Sequence, residues 1–302
     1  MNTIIAVPLD EELASYIGKK GSENSITFYN RKLASNNIVG LMPTSIEEKF
    51  HALPQALLLA DQIVVSTRSI DKLFGEVLVA AALLNKRTIF TKDSDISNIL
   101  SGITLENIAF ADRENLLDLI SSFKKDAANA GAGRVDIDKA FNVMGVGTVA
   151  LGIVTRGTIK VHDSLQHSSG KAAIVRSIQS QDEDVKEATA GTRVGLALKG
   201  MDAAEMQKGD ILSSKQVKPA KLLELEVKGS GFVKEPVEEG KMYSIAVGFS
   251  YSAATVEKAG GNRVAVRLEK ALPVEEGDAF MLVRALSPRI FASGRIAKLD
   301  YS

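Results

Sequence analysis

Two lysines between two glycines form the segment of this sequence that comes nearest to a phosphate-binding loop, Gly18–Lys19–Lys20–Gly21. A working loop reads G-x-x-x-x-G-K-[ST], so that backbone amides and the lysine hold phosphates while the hydroxyl holds magnesium. Here the first glycine is missing and Lys20 replaces the hydroxyl residue. The first apolar run, Ile4–Val7, continues instead into the acidic stretch Asp10–Glu12, which would repel phosphate. We therefore expect no phosphate-binding loop of this form.

The other residue types that perform catalysis or bind metals are sparse. His162 and His167 are close in sequence, but no third ligand type stands nearby. The chain has no cysteine, which excludes disulfides, thiolate catalysis and cysteine-ligated metals. We expect no catalytic residue and no metal site.

The composition is that of an ordinary folded protein. At 302 residues the chain is long enough for two or three domains. Basic and acidic residues number 37 each, so no global positive field indicates DNA or another polyanion. No apolar run approaches the ~18 residues that would span a bilayer, and the N-terminus lacks a leader pattern. These observations predict a cytoplasmic protein that binds neither membrane nor DNA.

Short β-like runs alternate with helical patterns up to about residue 126, which is typical of an α/β domain with a mainly parallel sheet. The expected strands are Ile4–Val7, Ser25–Tyr29, Ile38–Met42, Gln62–Val65, Thr88–Phe90 and Asn107–Ala109. The expected helices span 45–60, 70–85 and 112–125, where apolar residues recur at three- and four-residue spacing. Small residues at 127–133 indicate a linker.

The remainder predicts two all-β barrels, because alternating segments are separated by turn residues. The predicted domains therefore span 1–128, 129–216 and 217–302. Candidate strands of the second barrel are Leu222–Val227, Ser244–Phe249, Arg263–Leu268, Ala279–Val283 and Gly294–Leu299. Gly145–Val146–Gly147 lacks the third glycine of a dinucleotide fingerprint, so we interpret it as a kink or bulge in a barrel strand.

Several stretches of the predicted barrels carry a resemblance to a known family. In the first barrel they are Ala140–Val149, Arg176–Gln179, Gly191–Gly195 and Lys208–Leu212. They resemble the second domain of translational GTPases, and within that family the selenocysteine-specific elongation factor and elongation factor Tu. Arg289–Ile296 resembles the closing strand of the third domain. The resemblance implies an α/β N-terminal domain, a degenerate P-loop GTPase-like domain with a mainly parallel sheet, followed by two all-β barrels.

The resemblance also implies where the nucleotide-binding residues would lie. The D-x-x-G element falls on Leu41–Met42–Pro43–Thr44, and Ser45 stands in place of the catalytic histidine. The N-K-x-D element falls on Thr91–Lys92–Asp93–Ser94, which keeps only the lysine, and Asp95 comes one residue late. The residual nucleotide-site positions are then Lys19, Lys92, Asp93 and Asp95. We expect no GTPase activity, and no GTP or magnesium as cofactor.

In this family the first barrel holds the aminoacyl end of tRNA. The positions that match that pocket by resemblance are Asp138, Lys139, Phe141, Leu151 and Arg193. Arg193 resembles the selenocysteine factor, and a cation there would suit an anionic selenol. An arginine at the barrel rim, paired with Asp138 for folding, explains the same residue equally well. In the second barrel the possible phosphate contacts are Arg263, Arg267, Arg289 and Arg295.

The leading hypothesis is an elongation-factor-like protein of translation that binds tRNA or the ribosome through its barrels without hydrolysing GTP. One alternative is an unconventional GTP-binding elongation factor. Another is a scaffold for protein interactions, with a translation-factor protein as a possible partner.

Overall fold

A computed structural model describes residues 2–33, 36–124, 131–229, 231–233 and 235–300. It contains an α/β domain followed by two β-barrels, as the sequence predicts. No helix in these residues is long and apolar enough to cross a membrane.

The N-terminal domain is built on one seven-stranded sheet, whose order is β2-β3-β4-β1-β5-β6-β7. The strands β1 to β7 are Asn2–Ala6, Lys19–Lys20, Ile26–Lys32, Asn37–Pro43, Gln62–Val65, Arg87–Thr91 and Ile108–Ala111. The five strands from β4 to β7 in this order run parallel, and β3 and β2 run antiparallel at one edge. The central strands are almost wholly buried and mostly apolar because both faces of the sheet are covered by helices.

Five helices flank this sheet. Helices α1 to α5 are Glu11–Ile17, Ala52–Leu59, Lys72–Leu84, Ser97–Leu100 and Arg113–Ser121. Apolar residues of α1 and α5 share one core with the sheet. Apolar residues of α2 and α3 share another, which continues into both barrels through Ile153, Phe249 and Ile290. The α2 and α3 face therefore joins the domain to the rest of the molecule.

The prediction of a helix from residue 45 was wrong. Ser45 has φ 52°, in the left-handed region, and α2 begins only at Ala52. Pro54 lies in the first turn, where its missing N–H does no harm, whereas a helix begun earlier would put its ring against the carbonyl of Phe50. The predicted helix at 112–125 ends at Ser121. Lys125 and the first part of the predicted linker, 127–130, lie outside the described residues.

The first barrel is closed by an antiparallel pairing between the short strand Ser164–His167 and the long strand Ala172–Ser180. Strands β8 to β16 are Arg134–Val143, Gly147–Arg156, Thr158–Lys160, Ser164–His167, Ala172–Ser180, Glu183–Val185, Glu187–Thr189, Arg193–Lys199 and Ile211–Ser213, with a 3-10 helix at Ala203–Glu205. The order β11-β16-β8-β9-β15-β12 closes through β11 and β12. Gly145 and Gly147 have φ 81° and 93° in the turn of the β8–β9 hairpin. Gly145 lies in the turn and Gly147 is the first residue of β9, so neither forms the predicted kink within a strand.

The second barrel is closed in the order β17-β20-β19-β18-β21-β22. Its strands β17 to β22 are Pro219–Gly229, Met242–Val247, Ser250–Gly260, Arg263–Pro273, Ala279–Val283 and Ile290–Asp300. The sequence predicts five of these six strands and misses β19. That strand faces the interior with Ser250, Ser252 and Ala254, which are too small to give a strong apolar alternation.

Candidate functional site

The carboxyl edge of the parallel strands is where open α/β sheets bind ligands, so it is the first place to look for a nucleotide site. Only four residues, Val7 to Asp10, connect β1 to α1. The Asp10 carboxylate caps α1 by accepting a hydrogen bond from the Leu13 amide at 2.9 Å. Glu11 and Glu12 occupy the first helical turn. The helix end that would face phosphate is therefore capped and flanked by carboxylates.

Two arginines contact these carboxylates, Arg68 from the loop after β5 and Arg113 from the start of α5. The Arg68 guanidinium lies 2.5 Å from Glu12, 3.4 Å from Asp93 and 3.8 Å from Asp10. Arg113 contacts the other oxygen of Glu12 at 2.6 Å. Hydrogen bonds from both arginines lower the pKa of Glu12 to about 2, although its carboxylate is exposed. We call these five residues the carboxyl-edge network, in which two arginines are shared among three carboxylates.

The residual nucleotide-site positions that follow β6 also form hydrogen bonds with nearby residues of this chain. Lys92 donates to the Asp112 carboxylate at 2.7 Å. Asp93 accepts from the Thr91 hydroxyl at 2.5 Å, and Asp95 accepts from the backbone and hydroxyl of Ser97. These contacts place Lys92, Asp93 and Asp95 in one loop cluster.

Lys19 does not join that cluster. It lies on edge strand β2, which follows α1, and β3, β4, β1 and β5 separate it from β6. The lysine–glycine segment is therefore not a phosphate loop preceding a helix, and Lys19 is removed from the nucleotide edge.

The positions matching the aminoacyl pocket fall into two groups. Arg193 and Asp138 form a buried pair, with Nη2 of the guanidinium 3.2 Å from Oδ2. The same guanidinium lies over the ring of Phe28 in the N-terminal domain, 3.2 Å from its centroid, and donates to the Ser22 hydroxyl at 2.7 Å. Burial lowers the pKa of Arg193 to about 10 despite the attraction of Asp138. This arginine therefore links the barrel rim to the α/β domain.

The second group lies along the β8–β9 hairpin. Lys139 is exposed, with its amine 5.8 Å from the centroid of Phe141, and pairs in register with Leu151 on β9. Leu151 and Arg193 line a cavity of about 550 Å³ between the first barrel and the β2–β3 edge, and Lys19 lines it from the other side. The structure thus brings Leu151, Arg193 and Lys19 together, with Asp138 behind them.

The four arginines predicted as phosphate contacts are not equivalent. Arg263 and Arg267 project from β20 beside Glu226 and Glu257, and Arg295 donates to the carbonyl of Gly277 at 2.7 Å. Arg289 was misplaced by the sequence analysis. Its guanidinium lies 3.7 Å from the ring centroid of Phe50, in the seam between the second barrel and the N-terminal domain.

Two groups of interdomain residues were not foreseen from the sequence. Glu76, buried on α3, accepts hydrogen bonds from the Ser287 hydroxyl and from the amides of Arg289 and Ile290, at 3.1, 2.6 and 3.0 Å. We call this contact the Glu76 latch. The signal for it was a lone acidic residue inside the apolar run of α3.

The second group joins the two barrels. Arg134 contacts Asp136 and Asp278, both at 2.8 Å, and Glu275 at 3.1 Å. Burial works against the charge of Arg134, but Asp136 and Asp278 outweigh it and raise the pKa of the guanidinium. Arg156 contacts Glu275 and Asp278 from the side. The barrels are therefore joined by a largely buried ion network.

Comparison with known sequences agrees with this architecture. Residues 147–213 match the family model of elongation factor Tu domain 2. The chain is 32% identical to an uncharacterized protein of Methanocaldococcus jannaschii over 296 residues, which is 95% of this chain and 96% of the relative. It is 38% identical over 134 residues to the selenocysteine-specific elongation factor of that organism, spanning 28% of that factor's length.

Solved structures share the whole fold. Translation elongation factor SelB from Methanococcus maripaludis aligns in its apo form with TM-score 0.83 and 20% identity, over 99% of this chain and 80% of the other. Its complex with the GTP analogue GppNHp aligns with TM-score 0.85 and 22% identity, over 99% and 79%. A mainly parallel α/β domain carrying two closed barrels, the first with a domain 2 sequence signature, defines an elongation-factor-like architecture.

The chain belongs to one family with the uncharacterized Methanocaldococcus jannaschii protein, which it matches over nearly its full length, and its first barrel carries the sequence of elongation factor Tu domain 2. The selenocysteine factor of that organism extends well beyond the part that this chain matches.

Proposed function

We propose that the protein is an elongation-factor-like protein of translation that binds tRNA or the ribosome through its barrels and does not hydrolyse GTP. The carboxyl-edge network supports the proposal that the protein does not hydrolyse GTP. A bound triphosphate would bring about four negative charges to an edge where Asp10, Glu12 and Asp93 already take up the available arginines. The Asp10 carboxylate also accepts the hydrogen bond of the Leu13 amide at the N-terminus of α1, so this amide does not point a free N–H at a phosphate.

The contacts between domains also favour a protein without a nucleotide switch. A switch needs two arrangements of similar free energy, one of which the nucleotide selects. Here the Glu76 latch, the Gln55 side chain donating to the Phe249 carbonyl at 2.7 Å and the apolar core shared by α2, α3 and both barrels hold one arrangement.

The case for RNA rests on the first barrel. Leu151 and the Arg193–Asp138 pair occupy the positions where the family holds the aminoacyl end, and they line or back an open cavity. Relatives over part of the chain are named selenocysteine-specific elongation factors and elongation factor 1-alpha. The Arg193–Asp138 pair fits the family's pattern, whereas Leu151 replaces the polar side chain expected there. The pair, beside a replaced nucleotide site, supports binding in translation without hydrolysis.

Filter binding tests this function with aminoacylated tRNA, deacylated tRNA and ribosomes at low salt. We expect binding that weakens as salt rises and that does not depend on added GTP. The double variant Arg263→Gln/Arg267→Gln should weaken binding about tenfold if the outer face of the second barrel contacts phosphates. Lys72→Gln, an exposed lysine at the start of α3, is the matched control and should leave affinity unchanged. Absence of binding to tRNA and to ribosomes would refute the proposal.

A further inference from the structure

The two edges of the seven-stranded sheet differ in length and in charge. One edge is β2, which has only two residues, Lys19 and Lys20, and both are exposed. A short strand and lysine side chains are features by which natural sheets prevent pairing with another chain. The other edge is β7, Ile108–Ala111, whose four residues include no charge, no proline and no bulge. Of the two edges, β7 is therefore the one open to pairing.

Two exposed apolar side chains lie on one face of β7. Ile108 and Phe110 are 39% and 43% exposed, although β6 beside them is almost wholly buried. Ala109 and Ala111 alternate with them and face the core shared with α1 and α5. The Phe110 ring contacts Phe90 on the opposite face, that of α2 and α3. On this face the connection from β6 to β7 contains only the short helix α4, none of whose residues is buried, so it leaves the end of the sheet uncovered.

The backbone groups of the same two residues point out of the sheet. The Thr88 amide donates to the Asn107 carbonyl at 2.8 Å, and Thr88 pairs in register with Ile108. In a parallel ladder this phase turns the N–H and C=O of Ala109 toward β6, and those of Ile108 and Phe110 away from it. Because β7 ends the strand order, no strand of the described chain pairs with these outer groups. Two donors and two acceptors are therefore available to another strand.

We propose that β7 pairs antiparallel with β7 of a second copy of this chain, about a two-fold axis at Ala109. In that register Ile108 of each copy exchanges both backbone hydrogen bonds with Phe110 of the other. Their side chains then stand directly opposite each other on one face of the joined sheet. A β-branched residue opposite an aromatic one is among the favourable cross-strand pairs. The apolar pair of one edge thus matches the apolar pair of a second copy.

The charges at the two ends of β7 favour the same orientation. Glu106, which is exposed, precedes the strand, and Asp112, which follows it, contacts the Lys92 ammonium at 2.7 Å. Antiparallel pairing brings Glu106 of one copy beside Lys92 of the other, whose ammonium keeps donors for a second carboxylate. Parallel pairing would place the two Glu106 carboxylates side by side, where they repel each other. An antiparallel second copy is therefore the occupant that these charges fit.

The small area of the contact limits its strength. Four residues from each copy bury less than the roughly 1,200 Å² at which standard interfaces begin. We therefore expect a dimer in exchange with the monomer, with a dissociation constant on the order of 100 µM. This self-association does not depend on the tRNA or ribosome binding proposed above.

Sedimentation equilibrium of the full chain between about 5 and about 500 µM tests the proposal. We expect the average mass to rise by roughly half or more across this range. Phe110→Lys and Ile108→Lys each place a charge on the β7 edge and should keep the mass at the monomer value. Met144→Lys, at a fully exposed residue between β8 and β9, is the matched control and should associate as the wild type does. Thermal unfolding of each variant checks that it folds.

A cysteine cross-link tests the register, because the chain contains no cysteine of its own. Across the two-fold axis the two Ala109 residues form a non-hydrogen-bonded pair with Cα atoms about 4.5 Å apart, a separation that a disulfide spans. Under mild oxidation, Ala109→Cys should form a covalent dimer at least about tenfold faster than Ser101→Cys, which alters an exposed residue directly after α4.

The proposal is overturned if the full chain stays monomeric over the whole concentration range, or if both lysine variants of β7 associate as the wild type does. It is also overturned if Ala109→Cys cross-links no faster than Ser101→Cys.

Discussion

At the scale of single residues, cations resting on aromatic rings hold the domains together. Each pair places a charged side chain from a barrel over a ring from the N-terminal domain or the other barrel, where the ring face attracts it. The pairs are Arg193 with Phe28, Arg289 with Phe50 and Lys208 with Phe249. These side chains would be read from the sequence as solvated charges, but they lie in the seams.

Lys208 gives a prediction about pH. It donates to the Ser25 hydroxyl at 2.5 Å, and burial, with a smaller effect of Lys49, lowers the pKa of its amine to about 8. The unfolded chain, with an ordinary lysine pKa of about 10.4, therefore binds more protons between these values, so stability must rise with pH there. We expect the free energy of unfolding of the wild type to rise, relative to Lys208→Met, on the order of 2 kcal/mol between pH 7 and 10.

Urea unfolding of both proteins across this range measures the difference. Lys258→Met, which removes an exposed lysine of β19, is the control and should run parallel to the wild type at every pH. Parallel pH curves for wild type and Lys208→Met would mean that the amine is charged and well solvated in the folded protein.

At the scale of elements, two glycines should respond to alanine in opposite directions. Gly75 lies within α3 with nothing within 4 Å of a Cβ atom, so Gly75→Ala should stabilise the helix by about 0.5–1 kcal/mol. Gly294 on β22 lies against β17, and a Cβ there would stand 1.8 Å from the Glu226 carbonyl oxygen. Gly294→Ala should cost at least about 2 kcal/mol, because the two strands must separate. Thermal unfolding of the two variants provides the test, and equal shifts would contradict it.

The Glu76 latch makes α3 the element that ties the α/β domain to the second barrel. Glu76→Ala leaves the Ser287 hydroxyl and two backbone amides without their acceptor, so we expect a loss of about 3 kcal/mol in the free energy of unfolding. Glu114→Gln, an exposed acid on α5, should change it by less than about 0.5 kcal/mol. Chemical denaturation compares the two, and a Glu76→Ala protein as stable as wild type would exclude the latch.

The sequence predicts a helix or strand correctly where the apolar pattern of that segment alone determines its structure. Apolar runs such as Gln62–Val65 were placed correctly as strands because both faces of the parallel sheet are buried. Strand β19 and the true start of α2 were missed, since small inward residues and a proline in the first turn weaken the periodic signal. Apolar residues at helical spacing before Pro54 made the predicted helix begin too early in the chain.

In the candidate site too, a contact within one domain could be predicted from the sequence, whereas the contacts between domains could not. The Arg193–Asp138 pair was among the alternatives because both residues sit on one barrel with a strong family resemblance. The contacts of Phe28 with Arg193, of Phe50 with Arg289 and of Glu76 with the donors of the latch join residues about 165 to 240 positions apart. No local pattern encodes such pairs, because they depend on how three domains pack.

At the scale of the whole molecule, the main prediction concerns nucleotide. A ligand bound only by the native state at about 100 times its Kd stabilises that state by about 2.7 kcal/mol. We expect ~1 mM GTP or GDP with magnesium to leave the melting temperature unchanged and to yield no phosphate release above background. A clear upward shift with GTP would instead favour an unconventional GTP-binding factor, and Lys92→Gln should then abolish the shift if that loop still reads the base.

The four-residue connection between β1 and α1 bears on how this protein relates to active relatives. A strand–loop–helix phosphate site spends six residues, G-x-x-x-x-G, before the lysine that starts the helix. Point substitutions in Val7 to Asp10 cannot supply that length. A phosphate loop of this form would require an in-frame insertion together with removal of the acids that follow, so several simultaneous changes separate it from the present sequence. Single-base substitutions alone therefore cannot turn this connection into such a loop.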